Sequence, residues 1–524
     1  MKSTLLITVV VLLALIYAAF LFVPPPLISP DELSYRFFAE LLAREGTIFY
    51  YPEGDRIMGE RGFLPRKFHY NVRGEVVSRK PPGLILTWAV FKKLAGKRFS
   101  PAFFPLLALA VLFLFYRLSR HIFPDRGVRT ASLLLLASAP VFLLRSWAYC
   151  PTMLNLLIFF AALLFLQQIF IRGRWYHYLG TGLAAGIFVW VRQTSLLLWL
   201  PLGVWLFLER KKLKVSGLIW LGSGALGLLA LYLIYNRLVF GNFLATSYTV
   251  LLLQPGDHSA AAGIRGFFRI VEFHPKIWLL HLVSSPLAFS LAFPPLVIGL
   301  VGFSMMIKEG YRRSWLYFWG LLSLILIAFF SNFQTYGIHH GELSLRSSFL
   351  RYCLPSLVFL PLGAAFFLSK LRNFFPAALA VLVAFNLLLA LIAPQGLLQS
   401  VLLGDYYRQA SKFILDNTDK NCVILSSYWD KLAFPERLVF SDLRDKDEDF
   451  LDNLLSRIGA KGYRAVYIDH YYDRNAFRSF LRGMEKGKIS GPERLPGLLN
   501  WIKPPSDIYP VSIHELTLPG SRAM

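Results

Sequence analysis

Asp31 and Glu32 stand side by side in the stretch SPDELSYRFFAELLAREG, just after the first hydrophobic run. Adjacent carboxylates at such a place can cap a helix, or one of them can serve as a base that takes a proton. Ser29-Pro30-Asp31-Glu32 has the form of a capping box, with Ser at N-cap, Pro at N1 and Glu at N3. Acids in the first turn also suit the helix dipole. The box employs Glu32, whose side chain turns back to the Ser29 N–H, and leaves Asp31 at N2 free and ionised. Leu33, Phe37 and Leu41 recur at helical spacing, which predicts an amphipathic helix able to lie on a membrane surface.

The far end of the same loop reads HYNVRGEVVSRKPPGLILTWAVF. Alternation around Arg73-Gly74 predicts a hairpin, after which Arg79-Lys80-Pro81-Pro82-Gly83 opens an apolar helix. KPPG reads either as a plain helix start with a snorkelling lysine or as a rigid turn that presents Lys80 and backbone N–H groups to an anion.

These residues hang on a membrane scaffold. The chain has 524 residues, 56% of them hydrophobic, with a mean hydropathy of +0.51. That is the profile of a multi-pass membrane protein and not of a soluble domain. Its 55 Lys and Arg against 31 Asp and Glu would point to nucleic acid in a soluble chain. Residues 1–394, however, hold 37 basic and 14 acidic residues, and residues 395–524 hold 18 and 17. The excess therefore sits in the membrane part, where basic loops set orientation and meet anionic headgroups or phosphates. No nucleic-acid partner is expected. Cys150, Cys353 and Cys422 lack CxxC spacing, which argues against a disulfide framework or structural zinc. Cys150 and Cys353 both fall at outer span ends, with nothing further to support a bridge.

Eleven apolar runs approach the length of a span: 4–23, 100–118, 128–144, 151–171, 177–191, 195–208, 215–239, 285–307, 314–331, 353–369 and 374–394. The first lacks an A-x-A cleavage site and is read as an anchor. The loops RLSRHIFPDRGVR, RGRWYH, ERKKLK, KEGYRR and SKLR are basic and alternate with poorly charged hairpins, which places them in the cytoplasm. The N-terminus is then inside. The segments 24–99, 240–284 and 332–352 and the C-terminal tail are outside, in the plasma membrane's outer space. The expectation is an α-helical polytopic membrane domain over 1–394, with a long first outer loop at 24–99. From 395 to 524, the β-rich runs CVILSS, RLVFSD and RAVYID alternate with the helical YYRQASKFILDNT and DEDFLDNLLSRIG, predicting a small extracytoplasmic α/β domain.

The anchor helix, the outer DE dyad and the KPPG turn resemble the GT-C polytopic glycosyltransferases, nearest to the branch of protein O-mannosyltransferases and lipid A aminoarabinose transferases. YNRLVFGNFLATSY is similar to that family's outer segment after the seventh span, SLRSSFLRYCLPSLVFLPLG to its Arg-Tyr start of a late span, and the α/β tail to its outer C-terminal domain. The resemblance covers essentially the whole chain. It implies inverting transfer of a sugar from a polyprenyl- or dolichyl-phosphate carrier to a lipid, glycan or protein acceptor at the outer face. By the same resemblance Asp31 is the general base with Glu32 orienting it, and Lys80 contacts the carrier phosphate. Arg79, Arg346, Arg351 and Tyr352 are further candidates for the anion. The chemistry agrees, since such a reaction needs a base at the acceptor hydroxyl and preorganised cations at the departing phosphate.

One departure stands out. Where the family carries a second acid after an Arg, this chain has Arg145-Ser146-Trp147-Ala148-Tyr149-Cys150. A mechanism without a metal cofactor is therefore favoured over one assisted by a divalent cation. Glu53, Asp55 and Glu60 are substitutes for the missing acid, each more simply read as a solvated loop charge. Trp429-Asp430 matches a fragment of the oligosaccharyltransferase WWDYG signature, but the remainder fails. His339-His340 more simply face solvent or headgroups than a metal. The alternative class is a transporter or flippase of lipid-linked sugars. Against it, no Asp or Glu falls inside the spans and no inverted repeat is visible. A non-catalytic membrane subunit would make DE and KPPG purely structural.

Overall fold

Apolar runs become helices, and proline decides where they break. The computed structural model describes residues 2–59, 61–71, 73–244, 274–311, 313–331, 344–426, 429–441, 443, 448–468, 485–490 and 511–516. Among these residues five stretches are long and apolar enough to cross a membrane, Thr4–Phe22, Pro82–Ser119, Thr152–Arg172, Val215–Phe240 and Arg372–Asp416, and the number reaches eight if each of three bent helix pairs is one span. The chain is thus a helical polytopic membrane protein, with fewer qualifying spans than the eleven runs counted in the sequence. Two further apolar helices, Gln193–Leu208 and Ser314–Phe330, are shorter.

The bent pairs show what hydropathy alone does not register. The run at 285–307 is two helices, Pro275–Ala292 and Leu296–Lys308, set at 98° across Phe293-Pro294-Pro295. Two consecutive prolines supply no N–H and disfavour helical geometry in the residue before them. The run at 128–144 likewise breaks before Pro140 with a 66° bend, and 353–369 divides into Ser348–Leu357 and Leu360–Ser369 at 51°.

By contacts the chain forms two units. Residues 1–25 and 81–399 make the helical one; residues 26–80 and 400–524 make the other. The sequence reading divided the chain at 394 and kept all of 24–99 as one outer loop. In the helical unit, Cys150 and Cys353 are buried free thiols. The helix Pro82–Phe99 approaches Trp175–Val191 so closely that a Cβ on Gly83 would lie 2.7 Å from the Trp190 carbonyl oxygen. The glycine of KPPG is therefore a packing requirement.

The second unit begins with the helix Pro30–Glu45, followed by the hairpin of β1 (Phe68–Tyr70) and β2 (Val76–Ser78). The strands are antiparallel with Tyr70 opposite Val76, and Gly74 turns the chain at φ 84°. The tail holds β3 (Cys422–Leu425), β4 (Leu438–Phe440), β5 (Arg464–Ile468), β6 (Glu485–Ser490) and β7 (Ser512–Leu516) in the order β4-β3-β5-β7-β6. β4, β3 and β5 are parallel, as expected for α/β, but β7 runs antiparallel to β5 and β6, which makes the sheet mixed. EKGKIS, the sequence of β6, has the charge and glycine content of a turn and none of the β-branched run that marks a strand. The core joins Val423, Leu425, Tyr467, Leu454, Leu455 and Ile458 to Met58 and Phe63 of the first loop.

That packing also corrects the reading of the amphipathic helix. Leu33 and Leu41 are buried, and the Phe37 ring packs on Tyr50, Phe68 and Phe434 with centroids 5.0–5.3 Å apart. The apolar stripe is covered by protein, from the hairpin and the tail, and not left for a membrane surface.

Candidate active site

The capping box forms as its sequence predicts. Ser29 Oγ accepts the Glu32 N–H at 3.3 Å, while Glu32 Oε2 accepts the N–H groups of Ser29 (3.0 Å) and Ile28 (2.6 Å). Glu32 is buried and its carboxylate is committed to the start of the helix. Asp31 lies one position earlier and takes no part in the box. It is not free, as the sequence suggested, because its Oδ2 sits 2.7 Å from Lys80 Nζ. The lysine side chain is 8% exposed and the aspartate 27%. Lys80 therefore does not snorkel. It is an inward-held cation on a carboxylate that solvent, or a substrate, still reaches.

Two serines fix that geometry. Ser34, one turn after Asp31, pairs its hydroxyl with Ser78 at 2.8 Å, and Ser78 Oγ accepts the Lys80 N–H at 3.0 Å. Ser34 also donates to the Lys67 carbonyl at 3.3 Å, which in addition accepts the Arg79 N–H at 3.0 Å. Helix start, hairpin and KPPG turn are thus joined by hydrogen bonds.

Lys67 is the member that sequence reasoning missed. It sits in the left-handed region at φ 75°, unusual for a residue with a side chain. Burial pushes its ammonium down to about 8; the charge of Asp31 opposes this, while Lys80, Arg79 and Arg66 add to it. The only trace in the sequence is a basic doublet before the hairpin. Beside it, His69 is lowered to about 4 by burial and by Arg79, so it stays neutral. The assembly is a group of cations around one reachable carboxylate.

The acids offered in place of Cys150 do other work. Asp55 accepts the N–H groups of Gly62 and Phe63 and the Tyr70 hydroxyl, and Glu53 is an exposed neighbour of Arg56. Glu60, His339 and His340 lie outside the described residues, as does 245–248 of the YNRLVFGNFLATSY segment. Cys150 is buried, with its Sγ 3.3 Å from Thr152 Oγ1. Trp429 and Asp430 are fully buried in the tail, away from any acceptor in solution.

Arg346, Arg351 and Tyr352 belong to the helical unit, where a second cationic group forms around the Tyr352 ring. Arg351 lies over one part of it at 5.2 Å, and Arg192 stacks at 4.3 Å. Phe330 stacks on the same ring at 4.4 Å. Arg145 Nη2 donates to the carbonyls of Ser347 (3.3 Å) and Leu345 (3.5 Å), bracing the turn that leads into Ser348–Leu357. Arg192, at the junction of two helices, carried no motif to single it out in the sequence.

Comparison with known proteins bears directly on this fold and on part of its sequence. Residues 79–235 match the sequence profile of the dolichyl-phosphate-mannose-protein mannosyltransferase family. That segment takes in Lys80, Arg145 and Arg192. The fold is similar to that of ArnT from Cupriavidus metallidurans bound to undecaprenyl phosphate, with a TM-score of 0.60 and 12% identity over 97% of each chain. The apo state of the same enzyme gives 0.57, 13% and 97% of each chain. The archaeal oligosaccharyltransferase AglB from Archaeoglobus fulgidus gives 0.46 and 13% identity, over 88% of this chain and 69% of that one. No curated protein matches the sequence. The matched segment bears out, over residues 79–235, the resemblance to lipid-phosphate-sugar glycosyltransferases read from the motifs, and the similarity to ArnT shows a shared polytopic membrane fold.

Proposed function

We propose that this protein moves a sugar from a polyprenyl- or dolichyl-phosphate carrier to an acceptor hydroxyl at the outer face of the membrane, with inversion. The observation that carries the reading is the Asp31–Lys80 pair, a base and a phosphate ligand held together before any substrate arrives. The carrier phosphate competes with Asp31 for Lys80, and Arg79 adds a second positive charge. As Lys80 turns to the phosphate, Asp31 is released to accept the acceptor's proton. The acceptor oxygen then bonds to the anomeric carbon, and the carbon–oxygen bond to phosphate breaks with its electron pair going to the carrier. Fixed cations stabilise that departing charge in a site poor in water. The layer of Arg346, Arg351 and Tyr352 in the helical unit is proposed to hold an anionic lipid or sugar phosphate. That undecaprenyl phosphate is bound in the similar ArnT structure supports a carrier of this chemistry.

Mass analysis of cell-surface glycans and lipids tests the reading. Deleting the gene should remove one sugar from one class of molecule, wild-type protein should restore it, and Asp31→Asn should not. Reporter fusions after residues 60, 260 and 450 should all report outside. Restoration by Asp31→Asn would leave the dyad as a cap only.

A further inference from the structure

The tail motif Trp429-Asp430-Lys431, which the proposed reaction does not use, touches both backbone legs of the Asp31–Lys80 site. Lys431 Nζ donates to the Ile28 carbonyl at 2.6 Å, and the Ile28 N–H is one of the two held by Glu32. Asp430 Oδ2 accepts the Arg66 N–H at 2.7 Å, immediately before the left-handed Lys67. The Lys67 carbonyl in turn holds Ser34 and Arg79. One leg therefore ends at Asp31 and the other at Lys80.

The motif is itself firmly seated. The Trp429 indole is fully buried beside Tyr406 and Tyr407, and the Trp429 backbone N–H donates to Ser426 Oγ at 3.0 Å, just beyond β3. Lys431 Nζ lies 4.2 Å from the centre of the Tyr407 ring. Asp430 is wholly buried, its Oδ1 has no hydrogen-bond partner among the described residues, and burial pushes its carboxyl up to about 7. An apolar residue of similar size would fill this place at a lower desolvation cost. What the carboxyl supplies that an apolar residue cannot is first the hydrogen bond to the Arg66 N–H, and then its interaction with Lys431.

We propose that Asp430 and Lys431 are positioning residues of the Asp31–Lys80 site, through which the C-terminal sheet sets the distance between the base and the phosphate-holding lysine. This rests on the reading of that pair as the reacting site. The test uses full-length protein in lipid nanodiscs, with hydrogen exchange and the affinity for undecaprenyl phosphate as paired readouts. Asp430→Ala should speed exchange in residues 65–69 and Lys431→Met in residues 26–34, while β3 and β5 stay protected. Carrier affinity should fall about tenfold in each, the usual consequence of losing one charge-assisted hydrogen bond. Asp430→Asn keeps an acceptor for Arg66 and should restore both readouts. Unchanged exchange and affinity in both variants overturns the proposal. So does loss of β3 and β5 protection that Asp430→Asn fails to restore, since the motif would then serve only the core. If wild-type protein shows no affinity for undecaprenyl phosphate, the donor reading fails, and the exchange experiment alone decides whether the tail positions the pair.

Discussion

The two cationic regions of this protein look alike by residue count and differ in what they can do. Around Asp31, the cations Lys80, Lys67 and Arg79 gather about a carboxylate that stays partly exposed. Around Tyr352, Arg192 and Arg351 gather about a ring, and Arg145 is spent on backbone carbonyls. The first region has a group that can take a proton and cations that can receive phosphate. The second, by its described contacts, offers charge and an apolar face. The difference teaches that proton transfer should be confined to one region, while both should matter for holding an anion.

The largest effect should therefore fall on a single residue. Asp31→Asn removes the base with little change of shape and should lower transfer about a hundred- to ten-thousandfold. Carrier affinity should be retained or improved, because Lys80 loses its competitor. No single substitution among Arg145, Arg192, Arg346 and Arg351 should match that fall in turnover at saturating donor, and one that did would break the contrast. Next comes Lys80→Met, which should weaken undecaprenyl phosphate about ten- to a hundredfold through loss of one charge-assisted contact. Lys80→Arg should rescue part of it, since charge returns with altered geometry.

Tyr352→Leu, which removes the stacking platform, should cost the carrier about two- to thirtyfold in affinity, the range of one or two partly buried cation–π contacts. An unchanged affinity would mean that the Tyr352 layer is structural. The smallest effect is a slope with pH. Lys67 loses its proton near pH 8, so its contribution to anion binding is present below that value and fades as pH rises above it. Carrier affinity measured from pH 7 upward should fall a few-fold beyond 8 in the wild type, and the step should vanish in Lys67→Met.

Asp31, Glu32 and Lys80 were legible because their signals are local: a capping box, a proline turn and a family resemblance all live in short strings. The hairpin and three of the tail strands were legible for the same reason. Contacts between distant residues were not. Asp31 reads as free until Lys80 is brought to it, and the Leu33–Phe37–Leu41 stripe reads as membrane-facing until Phe68 and Phe434 cover it. Lys67 and Arg192 carry no motif, and their roles come from backbone geometry and from what folds against them. The eleven runs exceed the count at 177–191, 195–208 and 314–331, whose helices are short for a span, and the breaks at Pro140 and Pro294-Pro295 were hidden because hydropathy windows register apolar length and are blind to a bend.

The adjacent dyad offers the most direct test of the account. Purified, correctly inserted Asp31→Asn and Glu32→Gln proteins should be compared for turnover in one transfer assay. Gln at position 32 can still complete the capping box, so Glu32→Gln should remain active. Asp31→Asn should fall below it by about a hundredfold or more. Near-normal turnover in Asp31→Asn, or similar small losses at both positions, would contradict Asp31 as the base.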